Sequence, residues 1–211
     1  MNNWRSRSIL YFIVGLGGFL SLHYTASHFT QDRRIILLNT TRPDFHHFLG
    51  LEGQDTTSVS KGQLREYFDY FHLVNEAMPD NSDGMLMSGY LYEIAGDKAQ
   101  AQVFLNKAYH LDPSFFFIDF DLGLLSFEQG DRSQSIDLLQ KALAIPPQST
   151  INRMMNSIIY RQLFSSMDNS NDIIVGLHQA YQDAYVLLNA ALQKGTPTAN
   201  ATTPSVHAHI F

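Results

Sequence analysis

The stretch GDKAQAQVFLNKAYHLDP, residues 96–113, returns 34 residues later as GDRSQSIDLLQKALAIPP, residues 130–147. Glycine and aspartate open each copy, a small residue follows at the sixth position, Lys-Ala comes near the end, and proline closes it. These residue types are turn formers, helix stops and small packing residues, not nucleophiles, bases or metal ligands. Gly-Asp marks a turn between two helices, and proline forbids the second helix from continuing. The repetition therefore points to a packing unit.

The apolar pattern around the two copies predicts four helices, over 83–95, 98–111, 115–129 and 132–145. A run at helical spacing through Leu64, Tyr67, Phe68, Phe71 and Val74 precedes them, ending at Pro79. Two longer helices are expected after them, over 149–166 and 171–194, separated by SSMDNSN (165–171). The last is expected to bury Ile174, Leu177, Tyr181, Ala184, Leu188 and Ala191.

Residues 82–115 and 116–149 resemble tetratricopeptide repeats, which are helix pairs of about 34 residues. The small residue of the first helix is Gly89, then Gly123. The aromatic three positions on is Tyr92, replaced by Ser126 in the second copy. In the second helix the small residue is Ala101, then Ser135, followed by Leu105 and Leu139. The second small residue is Ala108, then Ala142, and the closing proline is Pro113, then Pro147. The bulky early position of the first helix is Met85 but becomes Asp119, so the second copy departs from the pattern there.

Two such units leave apolar faces open, and about three are needed to bury a continuous core. Tyr67, Phe71, Val74 and Pro79 match the second half of a degenerate unit. Ser157 and Tyr160 match the first helix of a third, beyond which the register fails and helix 171–194 reads as a cap. The resemblance implies an all-α, right-handed helical solenoid over 61–195.

It also implies a ligand groove on the concave side, formed by the first helix of each unit. The corresponding positions are Asp83, Leu86, Tyr90, Glu93 and Ile94; Phe117, Phe120, Leu124, Phe127 and Glu128; then Ile151, Met154, Ile158, Arg161 and Gln162. Leu86, Tyr90, Phe117, Phe120, Leu124, Phe127, Met154 and Ile158 would make this groove apolar, suited to an apolar segment of a protein partner. The alternative is that the chain's own connector or its 62–78 helix fills it.

Residues 1–26 begin with Arg5 and Arg7 and run without charge from Ile9 to Leu22. A membrane span needs about 20 residues, which residues 6–25 supply with Trp4, Tyr11 and Tyr24 near the interfaces. A cleaved signal segment is the other option, although Tyr24 is a poor residue three before a cut after Ala26. Basic residues flank the span on both sides; a short basic N-terminus inside would place the helical domain outside the cytoplasm. Residues 27–60 read as a connector and 196–211 as a polar tail.

Over 211 residues, apolar types make up 45% and charged types only 16%, well below the average soluble domain's quarter. A chain so poor in charge is expected to hide surface against a bilayer or a partner. The net charge of −6 and the lack of a basic patch argue against nucleic-acid binding. With no cysteine, disulfides, thiolate catalysis and cysteine-based metal sites are excluded. His46-His47 and His207/His209 lack a third ligand, and His23 sits at the end of the expected span. Asp119 and Asp121 have no nucleophile or base nearby in sequence, and no catalytic motif occurs. The sequence thus predicts a non-enzymatic, cofactor-free, membrane-anchored scaffold. A secreted binding module or a cofactor-holding subunit are the alternatives.

Overall fold

The structure, a computed structural model, describes residues 61–165 and 170–193 together with Pro43. The expected span 6–25, most of the connector and the polar tail 196–211 lie outside the described residues. Eight helices occur among the described residues: α1 Lys61–Ala77, α2 Ser82–Ile94, α3 Lys98–Leu111, α4 Phe116–Glu128, α5 Arg132–Ala144, α6 Pro147–Asn156, α7 Ile158–Phe164 and α8 Ser170–Leu192. The fold is all-helical, and helices adjacent in sequence pack as neighbours: α1 on α2, α2 on α3, α3 on α4, α4 on α5.

The Gly-Asp pair works in two directions. Gly96 and Gly130 take φ of 79° and 84°, a left-handed conformation that side chains disfavour. Each follows the cap residue of the preceding helix. The Gly96 N–H donates to Glu93 O and the Asp97 N–H to Tyr92 O; Gly130 and Asp131 repeat this on Phe127 O and Ser126 O. The last carbonyls of α2 and α4 are thereby satisfied in the same way. Asp97 and Asp131 then start the next helix, their carboxylates accepting from the N–H of Gln100 (3.1 Å) and Gln134 (3.0 Å). One residue ends a helix and its neighbour begins the next, so the hairpin needs no longer loop. Pro113 follows the end of α3, and Pro147 occupies the first turn of α6, where its missing N–H costs nothing.

Within each hairpin the two helices cross at glycine. A Cβ on Gly89 would sit 2.7 Å from Leu105 Cγ and Cδ2 and 3.3 Å from its backbone nitrogen. A Cβ on Gly123 would meet Leu139 Cγ at 2.9 Å. Ala101, Ala108, Ser135 and Ala142 are buried along the same seams. The α1–α2 crossing has its own glycine, Gly84, whose Cβ would lie 2.6 Å from Asn75 Oδ1 and 2.9 Å from Val74 Cγ1. Asn75 Nδ2 donates to Ser88 Oγ (2.8 Å) beside it. Tyr92 joins three helices, with Phe68 of α1 at 4.8 Å and Phe104 of α3 stacked at 5.4 Å.

Two expectations need correction. The helix expected over 149–166 is broken at Ser157, whose backbone is extended (ψ 135°) and whose hydroxyl caps α7 by accepting from Tyr160 N. A serine hydroxyl offers the backbone an alternative to helix continuation, and here it also donates to Asp83. The buried stripe of α8 is Leu177, Ala180, Ala184, Leu187 and Ala191, while Ile174 is 58% exposed. This stripe packs α8 on α5 and touches α4, where Tyr181 stacks on Phe116 at 3.9 Å and donates to Ile145 O (2.7 Å).

A candidate recognition face and its polar latch

The eight apolar residues expected to line a groove come from α2 (Leu86, Tyr90), α4 (Phe117, Phe120, Leu124, Phe127), α6 (Met154) and α7 (Ile158). Leu86, Tyr90, Phe117, Phe120, Leu124 and Met154 are buried, and Phe127 and Ile158 are half-buried. Tyr160 of α7 is itself fully buried, edge-on to Phe115 at 5.7 Å and stacked with Phe117 at 6.5 Å. Phe116, beside them, stacks on Phe120 at 5.7 Å. The break at Ser157 makes this possible, since it turns α7 toward α2. Farther along, Tyr70 of α1 donates to Gln162 Oε1 (2.6 Å). Six of the eight residues are thus buried, and α7 reaches this face through Tyr160.

What fixes the crossing segment is polar. Arg153 of α6 reaches back over the first hairpin. Its Nε donates to Asp112 Oδ2 (2.9 Å), its Nη2 to Asp83 Oδ1 (2.9 Å) and Ser82 Oγ (3.0 Å), and its Nη1 to Asp83 Oδ2 (3.2 Å). The guanidinium lies over the Phe115 ring, 5.0 Å from its centroid. Burial works against the charge, but Asp83 and Asp112 outweigh it and hold the proton more tightly than usual. The planar fork of arginine matches a carboxylate with two parallel donors; lysine would not replace it. Asp83, only 2% exposed, is thereby compensated.

Other carboxylates are less comfortable. Asp119 is 1% exposed, and its Oδ1 has no hydrogen-bond partner. Burial pushes its pKa up to about 6, with Lys141 pulling it down and Asp112 pushing it up. Glu93 is raised well above the ordinary carboxylate value by burial first, then by Asp121 and Glu128, with Lys98 opposing. Lys98 pairs with Glu128 at 2.8 Å.

No protein-family model matches this sequence, and no curated protein matches it.

Among the described residues no group of three or more His, Asp or Glu side chains is placed to hold a metal, and no helix is long and apolar enough to cross a membrane. His23, His46, His47, His207 and His209 lie outside those residues. Arg153 and Gly84 were not foreseen as key positions from sequence. Gly84 stands five residues before Gly89 on the same helix, and its partner residues Val74 and Asn75 belong to α1, outside the two clear repeats. Arg153 stands 34 residues after Asp119 and 68 after Met85, a register position that the repeat pattern marks as bulky and apolar, so nothing there signals an ion-pair partner.

Proposed function

We propose that this chain is a membrane-anchored adaptor built on tetratricopeptide-type repeats, serving as an accessory or assembly subunit of a membrane or cell-envelope complex. The duplicated hairpin carries this reading. The repeated glycines, aspartates and small residues each have a place in a turn, a cap or a crossing. The apolar span at 6–25 would confine the domain to a bilayer surface, in keeping with a charged fraction of only 16%. Because most of the aromatic face is interior, recognition of a protein partner falls to its uncovered edge, where Phe127 and Ile158 remain half-buried.

Fractionation and affinity purification test this together. The full chain should stay with membranes through high-salt washing, and deletion of residues 1–26 should release a soluble protein of unchanged helical content. Purification in mild detergent should bring down a defined partner. Phe127→Glu should weaken that association about 30-fold, the effect of losing an aromatic anchor of about 2 kcal/mol, without loss of helicity. Recovery of a soluble form with a new N-terminus after residue 26 would replace this reading with a secreted binding module. A metal or chromophore in the purified protein would replace it with a cofactor-holding subunit.

A further inference from the structure

The two helices of each hairpin are not buried alike. The second is buried along one stripe only, Ala101, Leu105 and Ala108 in α3 and Ser135, Leu138, Leu139 and Ala142 in α5. The first is enclosed on every side. All residues from Ser82 to Leu91 of α2 are buried, as are all from Phe116 to Ser126 of α4. At 3.6 residues per turn each run goes about three times round its helix. Among the described helices, α2 packs on α1 and α3 and meets α7, while α4 packs on α3 and α5 and meets α8. Stacking of this kind covers the flanks of a first helix and leaves its concave side free. The seven residues of α7, about 10 Å of helix, are too short to close that side of two 13-residue helices, about 20 Å each.

The described residues also include Pro43, and it is buried. The compact unit that holds the helices begins there rather than at Lys61. After Pro43 the sequence reads DFHHFLGL (44–51), with four large apolar side chains, and then EGQDTTSVS (52–60), with only Val59. We infer that residues 43–51 of the chain's own connector fill the concave face, setting Phe45, Phe48, Leu49 and Leu51 against α2 and α4 where a partner's apolar segment would otherwise lie.

Lengths favour this occupant. Residues 44–51, extended, reach up to ~27 Å, the width of about three helices packed 8–10 Å apart. Residues 52–60 reach up to ~30 Å, enough to return the chain to the start of α1. Charge favours it too. On this side Asp121 is fully buried and acts electrostatically on Glu93 of α2, and both are acids. His46 and His47 bring ring N–H donors to such a surface. A segment of the same chain has an effective concentration in the millimolar range, so a foreign segment must displace it to reach the face. The inference is independent of whether residues 6–25 span a membrane.

Substitutions that touch none of the described helices test it in the full chain, in mild detergent. Phe45→Asp with Phe48→Asp should lower the thermal midpoint by ~5 °C or more and quicken amide exchange in α2 and α4 at least 10-fold. Ile210→Asp, in the polar tail, should do neither. The double variant should bind a synthetic PDFHHFLGL peptide, and the parent should bind it at least 10-fold more weakly. If the pair of substitutions unfolds the helices, Phe48→Asp alone carries the same measurements. Melting and exchange left unchanged by the connector substitutions would overturn the inference, as would equal binding of the peptide by variant and parent. A midpoint that rises with protein concentration and ignores both substitutions would overturn it too, by assigning the face to a second copy.

Discussion

Asp119 shows how one residue departs from its repeat. The matching position in the first hairpin is Met85, and a carboxylate there is buried with one oxygen unpartnered. Because its folded pKa is raised to about 6 from 3.8, the folded state holds its proton more tightly than the unfolded chain. The destabilisation from this group is therefore absent below about pH 4 and complete above about pH 6. Asp119→Met should raise stability at pH 7 by about 1–2 kcal/mol, less than the full shift converts to because solvent and Lys141 screen the charge. Urea melts across pH 4 to 7 should show the parent losing stability as pH rises relative to the variant. A constant difference over that range would refute the assignment.

At the scale of helices, the two hairpins share a plan but not a tolerance. A methyl on Gly89 meets Leu105 at 2.7 Å and its backbone as well, whereas on Gly123 it meets only side-chain atoms of Leu138 and Leu139, the nearest at 2.9 Å. Gly89→Ala should therefore cost more than Gly123→Ala, about 1–3 kcal/mol against 1 or less once alanine's better helix propensity is counted. Thermal melts that rank the two in the opposite order would sink the crossing geometry. The hairpins were readable from sequence because their signals are local: glycine, aspartate and proline act on their own turn. The break at Ser157 was not readable. Helical periodicity continues across it, and the serine that caps α7 there also bonds Asp83, 74 residues away.

For the whole molecule, the latch changes how the parts depend on one another. A simple array of hairpins couples each unit only to the next. Here Arg153 and Ser157 tie α6 and α7 to the start of α2, and Gln162 to α1, so the later helices brace the first hairpin. Arg153→Met leaves Asp83 with a buried charge and should cost about 2–4 kcal/mol, the range for breaking a partly buried pair. Hydrogen exchange should quicken over 147–164 and at the start of α2, with the α4–α5 hairpin least affected. Uniform quickening throughout would mean that the latch is not a separate brace. The aromatic positions were legible in sequence as apolar, but their burial was not, because packing such as that of Tyr160 on Phe115 and Phe117 joins residues more than 40 apart.

The distance between Asp83 and Arg153 along the chain is also a delay in time. A ribosome making about 5–20 residues per second needs roughly 4–14 s to add the 70 residues that separate them. The turn and the glycine crossing of the first hairpin use only residues made well before then. During that interval Asp83 has no guanidinium to neutralise it, so the nascent α2 must keep that carboxylate in water. Its first turn is expected to gain its full set of partners only when α6 leaves the exit tunnel. The final act of folding is then not the last helix docking on its neighbour, but an early one being sealed by a late arrival.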